Sequence, residues 1–131
     1  MHNVKKEIEL RVITPNEPGI LGRVLGTLAN ASVNLKALCA FSEDDKGIFY
    51  ILSSDYKKAE KALASLGYDV EANPVITVKI DDRIGAGAEI GALLGNAIVD
   101  IHHCYGSSAG LGKALLVFST NNHARTFDVL S

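Results

Sequence analysis

The chain reads as an α+β protein made of two copies of one β-α-β-β-α-β unit, each an antiparallel sheet with helices on one face. Three observations predict this. The turn Asn16-Glu17-Pro18-Gly19-Ile20-Leu21 has an echo in Asp82-Arg83-Ile84-Gly85-Ala86-Gly87, with the two glycines 66 residues apart. Residues 7–65 slide onto 73–131 without a gap, matching Val12 to Val78, Asn30 to Asn96 and Val33 to Val99. In both copies the order of patterns is the same, and that order carries more weight than the few identities.

Leu10–Ile13 and Val75–Val78 are short, β-branched and bounded by turns, which predicts strands. Leu21, Val24, Leu25, Leu28 and Ala31 have helical spacing, as do Ile90, Leu93, Leu94 and Ala97. A second strand is predicted over Val33–Phe41 and Val99–Tyr105. After a turn (Glu43–Gly47; Gly106–Gly112) comes a third, at Ile48–Leu52 and Ala114–Phe118. Asp55 is placed to cap a helix with Ala59, Ala62, Leu63 and Leu66 on one face, ending at Gly67. Asn121 or Asn122 caps the last segment, with Ala124, Phe127 and Leu130 inward. Tyr68–Ala72 forms the fourth strand of the first copy, and Pro74 punctuates the run into the next. The predicted units are residues 1–72 and 73–131. The second copy has no counterpart of Tyr68–Ala72, so it lacks its last strand. Its sheet is expected to have an unfilled edge of the kind that recruits a partner strand.

The totals narrow the class. At 131 residues the chain has room for one ordinary domain or two small ones. With no Trp and only four Phe and four Tyr, the core must be aliphatic. A net charge of −2 with interspersed signs argues against a nucleic-acid surface. The opening residues run into charged Glu7 and Glu9 rather than a signal-like apolar stretch. No apolar run approaches the ~20 residues of a membrane span. Cys39 and Cys104 have no CxxC spacing, so reduced thiols in a cytoplasmic protein are expected.

On the Asn16–Leu21 turn, Val24 and Val33-Asn34-Leu35, the chain resembles a tandem ACT-domain protein, a small ferredoxin-like regulatory fold that senses amino acids. The first copy matches that family's Asx-x-Pro-Gly-x-Leu turn and strand start. The second departs from it, with Ile84 in place of the proline and Gly87 in place of the leucine, while Asp82 and Gly85 are kept. The resemblance implies a ligand between this turn of one domain and the early second strand of a neighbour. Carried over here, the site residues are Asn16, Glu17, Pro18, Gly19, Ile20 and Leu21 with Asn34 and Leu35. Their second-copy counterparts are Asp82, Arg83, Ile84, Gly85 and Ala86 with Asp100 and Ile101.

Physical chemistry supports such a site. Gly19 and Gly85 begin helices, whose first amides lack intrahelical partners and, with the helix dipole, suit a carboxylate. Glycine lets that backbone approach a ligand. Asn16 or Asp82, and Asn34 or Asp100, are suited to an ammonium. A plain turn or N-cap role for Asn16 and Asp82 accounts for the same residues without a ligand.

No enzyme is predicted. Ser53-Ser54 and Ser107-Ser108 have no His and acid at a recognisable spacing. Gly87, Gly91 and Gly95 recur every four residues but form no phosphate-binding loop. They weaken a helix, or give it a smooth face for close approach. Lys57, Lys58 and Lys61 read as a solvated face. In a strand, His102 and Cys104 share one face and His103 takes the other. Two ligands are too few for a closed zinc site, so no metal is assigned unless His123 or a second subunit adds donors. The resemblance therefore implies an allosteric amino-acid-binding protein without catalytic residues or cofactor, forming a homodimer. Two alternatives stay open. One is a regulatory subunit of an amino-acid biosynthetic enzyme, since Asn16–Leu38 is also similar to the small subunit of acetohydroxyacid synthase. The other is a metal-sensing ACT-like module.

Overall fold

The computed structural model describes residues 2–131. By contact these fall into two compact units, Ile8–Asn73 on the one hand and residues 2–7 with Pro74–Ser131 on the other. The first unit takes β1 (Asn3–Pro15) from Ile8 onward, then α1 (Ile20–Asn30), β2 (Leu35–Glu43), β3 (Lys46–Ser53) and α2 (Tyr56–Ala64). It closes with the part of β4 (Asp69–Asp81) up to Asn73. Its strand order is β2-β3-β1-β4, with antiparallel β2–β3 and β1–β3 pairs. The second unit continues β4 from Pro74 and adds α3 (Ala86–Asn96), β5 (Ile101–Ser108), β6 (Lys113–Thr120) and α4 (His123–Leu130). Here the order is β5-β6-β4-β1.

The last position in that order corrects one expectation. Among the described residues no strand follows α4, but the sheet edge is filled. The start of β1 takes the place, so residues 2–7 belong to the second unit and not to a first unit of residues 1–72. Val4 packs against the second core. Glu7 accepts a 2.6 Å hydrogen bond from the Thr77 hydroxyl, and the Lys6 ammonium lies 4.8 Å from the centre of the Phe127 ring. A strand of 13 residues spans roughly 43 Å at ~3.3 Å per residue, more than twice the usual length. One half can therefore serve each unit. The charged run Lys5-Lys6-Glu7 hides this, because it has no apolar alternation to mark a strand.

β4 does the same in reverse. Pro74 interrupts nothing; it sits inside the 13-residue strand where β4 passes from one unit to the other. Proline fits a strand only where the ladder asks for no donor, and the ladder of β4 to β6 begins only at Ile76, past Pro74.

Each core lies between the sheet and its two helices. Leu10 and Val12 alternate inward from β1 and meet Val24 and Leu28 of α1, Phe49 and Ile51 of β3, and Ala59 and Leu63 of α2. In the second unit Val78 and Ile80 of β4 meet Ala86, Ile90 and Leu94 of α3, with Phe118 and Leu130. Burial of this aliphatic surface, worth about 25 cal/mol per Å², is what orders elements too short to be stable alone.

The second helix of each copy begins as predicted. Asp55 Oδ1 accepts from the Lys58 amide at 3.1 Å, and Asn122 Oδ1 accepts from the Arg125 amide at 3.0 Å. The predicted inward faces are corrected at four places. Leu66 lies beyond the end of α2 and is exposed, and Leu93 projects to the outer side of α3. Ala124 is exposed, while Thr126 is buried with its hydroxyl 2.9 Å from that of Thr120. Leu21 is also exposed. Gly87, Gly91 and Gly95 line the outer side of α3 with open space beside each.

Ser32 and Ile98, repeat-related residues just past α1 and α3, both have positive φ (59° and 57°). For Ile98 this is strained, because a β-branched side chain crowds the backbone there. It is 89% exposed, so the strain is not offset by burial. Ile98→Asn should therefore stabilise the protein by about 1 kcal/mol and raise Tm by a few degrees, as read by urea and thermal unfolding. Removing residues 2–7 should accelerate hydrogen exchange across Pro74–Asp81 and α4 while leaving the amides of β3 protected.

Candidate functional site

The two loops predicted to bind a ligand share one backbone design. Gly19 and Gly85 are the N-caps of α1 and α3, both left-handed at φ 88°, and neither helix has a side-chain cap. Glycine is favoured there by conformation, not by crowding, since a Cβ at either position would meet nothing within 4 Å. A turn hydrogen bond closes each loop, from Ile20 N–H to Glu17 O and from Ala86 N–H to Arg83 O, both 3.2 Å. Asn16 and Asp82 are therefore not the helix caps. Instead the Asn16 amide donates to Asp45 O at 2.9 Å and the Asp82 amide to Gly112 O at 3.0 Å, tying each loop to the neighbouring hairpin.

The copies differ in charge placement. Glu17 pairs with Arg23 at 3.5 Å, and Arg83 pairs with Glu89 at 2.5 Å, the same two positions with the signs exchanged. A carboxylate near a helix N-terminus is favoured by the dipole and a cation is not, so α3 already carries a stabilising anion where α1 carries Arg23. The Arg83 guanidinium holds the Glu89 carboxyl below the usual carboxylate range.

The polar side chains differ too. Asp82 accepts a short hydrogen bond from the Ser108 hydroxyl, and Asp100 Oδ2 lies 4.0 Å from His102 Nε2. Among the described residues, the side chains of their counterparts Asn16 and Asn34 make no hydrogen bond. Asn34 is held through its backbone: its amide donates to Ser54 Oγ at 3.0 Å and its carbonyl accepts from the Ser54 amide at 2.9 Å. Leu35 packs against the first core, whereas Ile101 is exposed.

Within one unit the two predicted halves are not brought together. α1 separates Asn16–Leu21 from Asn34-Leu35, and its 11 residues span about 16 Å. α3 separates Asp82–Ala86 from Asp100-Ile101 in the same way.

The second unit also holds a cleft of about 560 Å³ that the sequence reading missed. Of the predicted residues only Arg83 and Ala86 line it; Lys79, Asp81 and Lys113 do as well. The available signal was the exchange of charge at positions 17/83 and 23/89. The Asp81–Lys113 pairing depends on strand register and had none.

On β5, His102 and Cys104 are exposed while His103 and Tyr105 are half-buried, their rings stacked with centroids 6.3 Å apart. Among the described residues no three His, Cys, Asp or Glu side chains gather as a metal-holding group. Cys39 and Cys104 are free. No helix among them is long and apolar enough to cross a membrane.

The ACT domain pair family matches residues 6–131. The chain belongs to that family. It is similar to a protein of solved structure from Bacteroides thetaiotaomicron, with 28% identity and a TM-score of 0.89, over 97% of this chain and 88% of that one. The ligand-free regulatory subunit of aspartate kinase from Thermus thermophilus shares the fold at 12% identity and a TM-score of 0.70, over 99% and 95% of the two chains. A structure of aspartokinase alpha and beta subunits does so at 18% identity and 0.65, over 98% and 94%. No match is found among curated proteins. Both units of this ACT pair share the left-handed turn at Gly19 and Gly85, although the second has Ile84 and Gly87 where the first has Pro18 and Leu21.

One titration in the second unit has a defined sign. His123 Nε2 accepts from the Thr120 amide at 3.3 Å, which requires the neutral ring. Burial, and secondarily the nearby His102, push the His123 pKa below 6.5. The folded state thus binds fewer protons than the unfolded one below pH 6.5. Stability is full above that value and falls as pH drops through the lowered pKa. His123→Gln should flatten this fall in urea titrations between pH 7.5 and 5.

Proposed function

We propose that this ACT pair is a regulatory, non-catalytic protein that binds an amino acid at the Asn16–Leu21 loop and passes occupancy to a partner. The observation that carries the reading is the contrast between the copies. At the first loop, α1 begins at a left-handed glycine with open space beside it, and among the described residues the Asn16 side chain makes no hydrogen bond. At the second, Asp82 is engaged by Ser108 and the helix start carries Glu89. A carboxylate at the α1 amides and an ammonium near the Asn16 carbonyl oxygen suit a zwitterion of α-amino-acid size.

Asn34-Leu35 of a second copy of the chain supplies the other wall, which favours a homodimer. Ligand bridging two units stabilises one mutual arrangement only by its differential affinity for it. An amino-acid-metabolising enzyme is the partner class we infer, by analogy with the aspartate kinase regulatory subunit whose fold this chain shares.

A thermal-shift screen against the twenty amino acids tests this. A ligand at ~100 times its Kd adds about 2.7 kcal/mol of apparent stability, a shift of several degrees. The expected result is a shift with one related group of amino acids that disappears in Gly19→Leu. Leucine lacks the β-branch that a left-handed residue tolerates least, so far-UV circular dichroism should report an intact fold. If no amino acid shifts the wild type, the reading fails.

A further inference from the structure

The cleft of the second unit lies at the end where α3 begins, and three separate segments bring charge to it. Lys79 and Asp81 come from the end of β4, Arg83 and Glu89 from the turn and first turns of α3, and Lys113 from the start of β6. Lys113 and Asp81 are cross-strand partners with Nζ 2.5 Å from Oδ1, and Arg83 Nη2 is 2.5 Å from Glu89 Oε2. Both carboxylates are thus matched by a cation, and Lys113 holds the Asp81 carboxyl below its usual range. Lys79 has no ion pair among the described residues, leaving one uncompensated positive charge in the cleft.

Donors remain as well, since an ammonium carries three and a guanidinium five, while each paired cation uses only one in the bonds above. Asp81 and Glu89 are each already matched by a cation, so the cleft offers an ammonium no uncompensated negative charge. The first unit has no such arrangement. Its equivalent positions are Ile13, Pro15 and Gly47 in place of Lys79, Asp81 and Lys113. Where the second unit has the small Ala86, the first has Ile20 packed on its core.

We propose that this cleft is a second ligand site, for a small organic anion bearing carboxylates and no ammonium, held by Lys79 with the spare donors of Arg83 and Lys113. This goes beyond the amino-acid reading of the first loop and does not depend on it. His2 and Asn3 form part of the wall, so an occupant also rests against the strand that completes the unit. Binding and docking of that strand therefore support each other.

The test is a titration of the ¹⁵N-labelled full chain with succinate at constant ionic strength, with uncharged succinamide and inorganic phosphate in parallel. Succinate should move the amide signals of residues 79–89 and 113 in a saturable way, and succinamide should not. Affinity should fall about tenfold or more in Lys79→Glu, a reversal of one exposed charge that leaves the core untouched. It should be unchanged in Gly19→Leu, which separates this site from the amino-acid site. The proposal is overturned by no saturable shift, by equal affinity in Lys79→Glu, by an equal response to phosphate, or by shifts centred on Asn16–Leu21.

Discussion

A strand at the edge of a sheet leaves a row of backbone donors and acceptors without partners, and a four-stranded unit that stops at three strands exposes that row next to its core. The second unit of this chain meets that constraint with residues drawn from the opposite end of the sequence. Because β1 runs for 13 residues, its first part completes the second unit and its remainder opens the first. The second core, the placement of α4 and the walls of the cleft all depend on this. Val4 joins that core, Lys6 covers Phe127, and His2 and Asn3 face the cleft.

Repetition gave this ACT pair two copies of one loop, and divergence has given them different chemistry. The backbone matches closely at both ends of the first helix of each copy, with Gly19 and Gly85 at the same φ and Ser32 and Ile98 within 2° of each other. Side chains carry the difference. The ion pair at each loop has reversed polarity, and Asp82 and Asp100 lie close to Ser108 and His102 where Asn16 and Asn34 have no such contact. A conformation enforced by glycine survives loss of the flanking proline and leucine, because the left-handed cap depends on a missing Cβ rather than on its neighbours. The fold of the second copy can thus persist while its binding properties change.

The family, the order of elements, the two glycine turns and the caps Asp55 and Asn122 were legible in the sequence because they depend on local rules. Helical spacing, turn chemistry and side-chain capping act over a few residues, and each leaves a pattern. Faces were read less well at helix ends. Leu66 and Leu93 have the right spacing but lie past the end of α2 or off the line of Ala86, Ile90 and Leu94 that meets the sheet. Thr126 was missed because its burial relies on a hydroxyl pair with Thr120, a strand residue whose approach no helical pattern predicts.

By itself, the sequence determined two β-α-β-β-α units with an aliphatic core, a glycine turn at the start of each first helix, and membership of the ACT domain pair family. Only the tertiary structure decided which strand completes the second unit, since strand pairing joins residues some 70 positions apart and the charged segment Lys5-Lys6-Glu7 carries no periodic mark of its partner. It also decided that the cations of the second unit converge. Lys79, Arg83 and Lys113 come together through the register of β4 against β6 and the entry of α3, and register is a property of paired strands rather than of either strand alone.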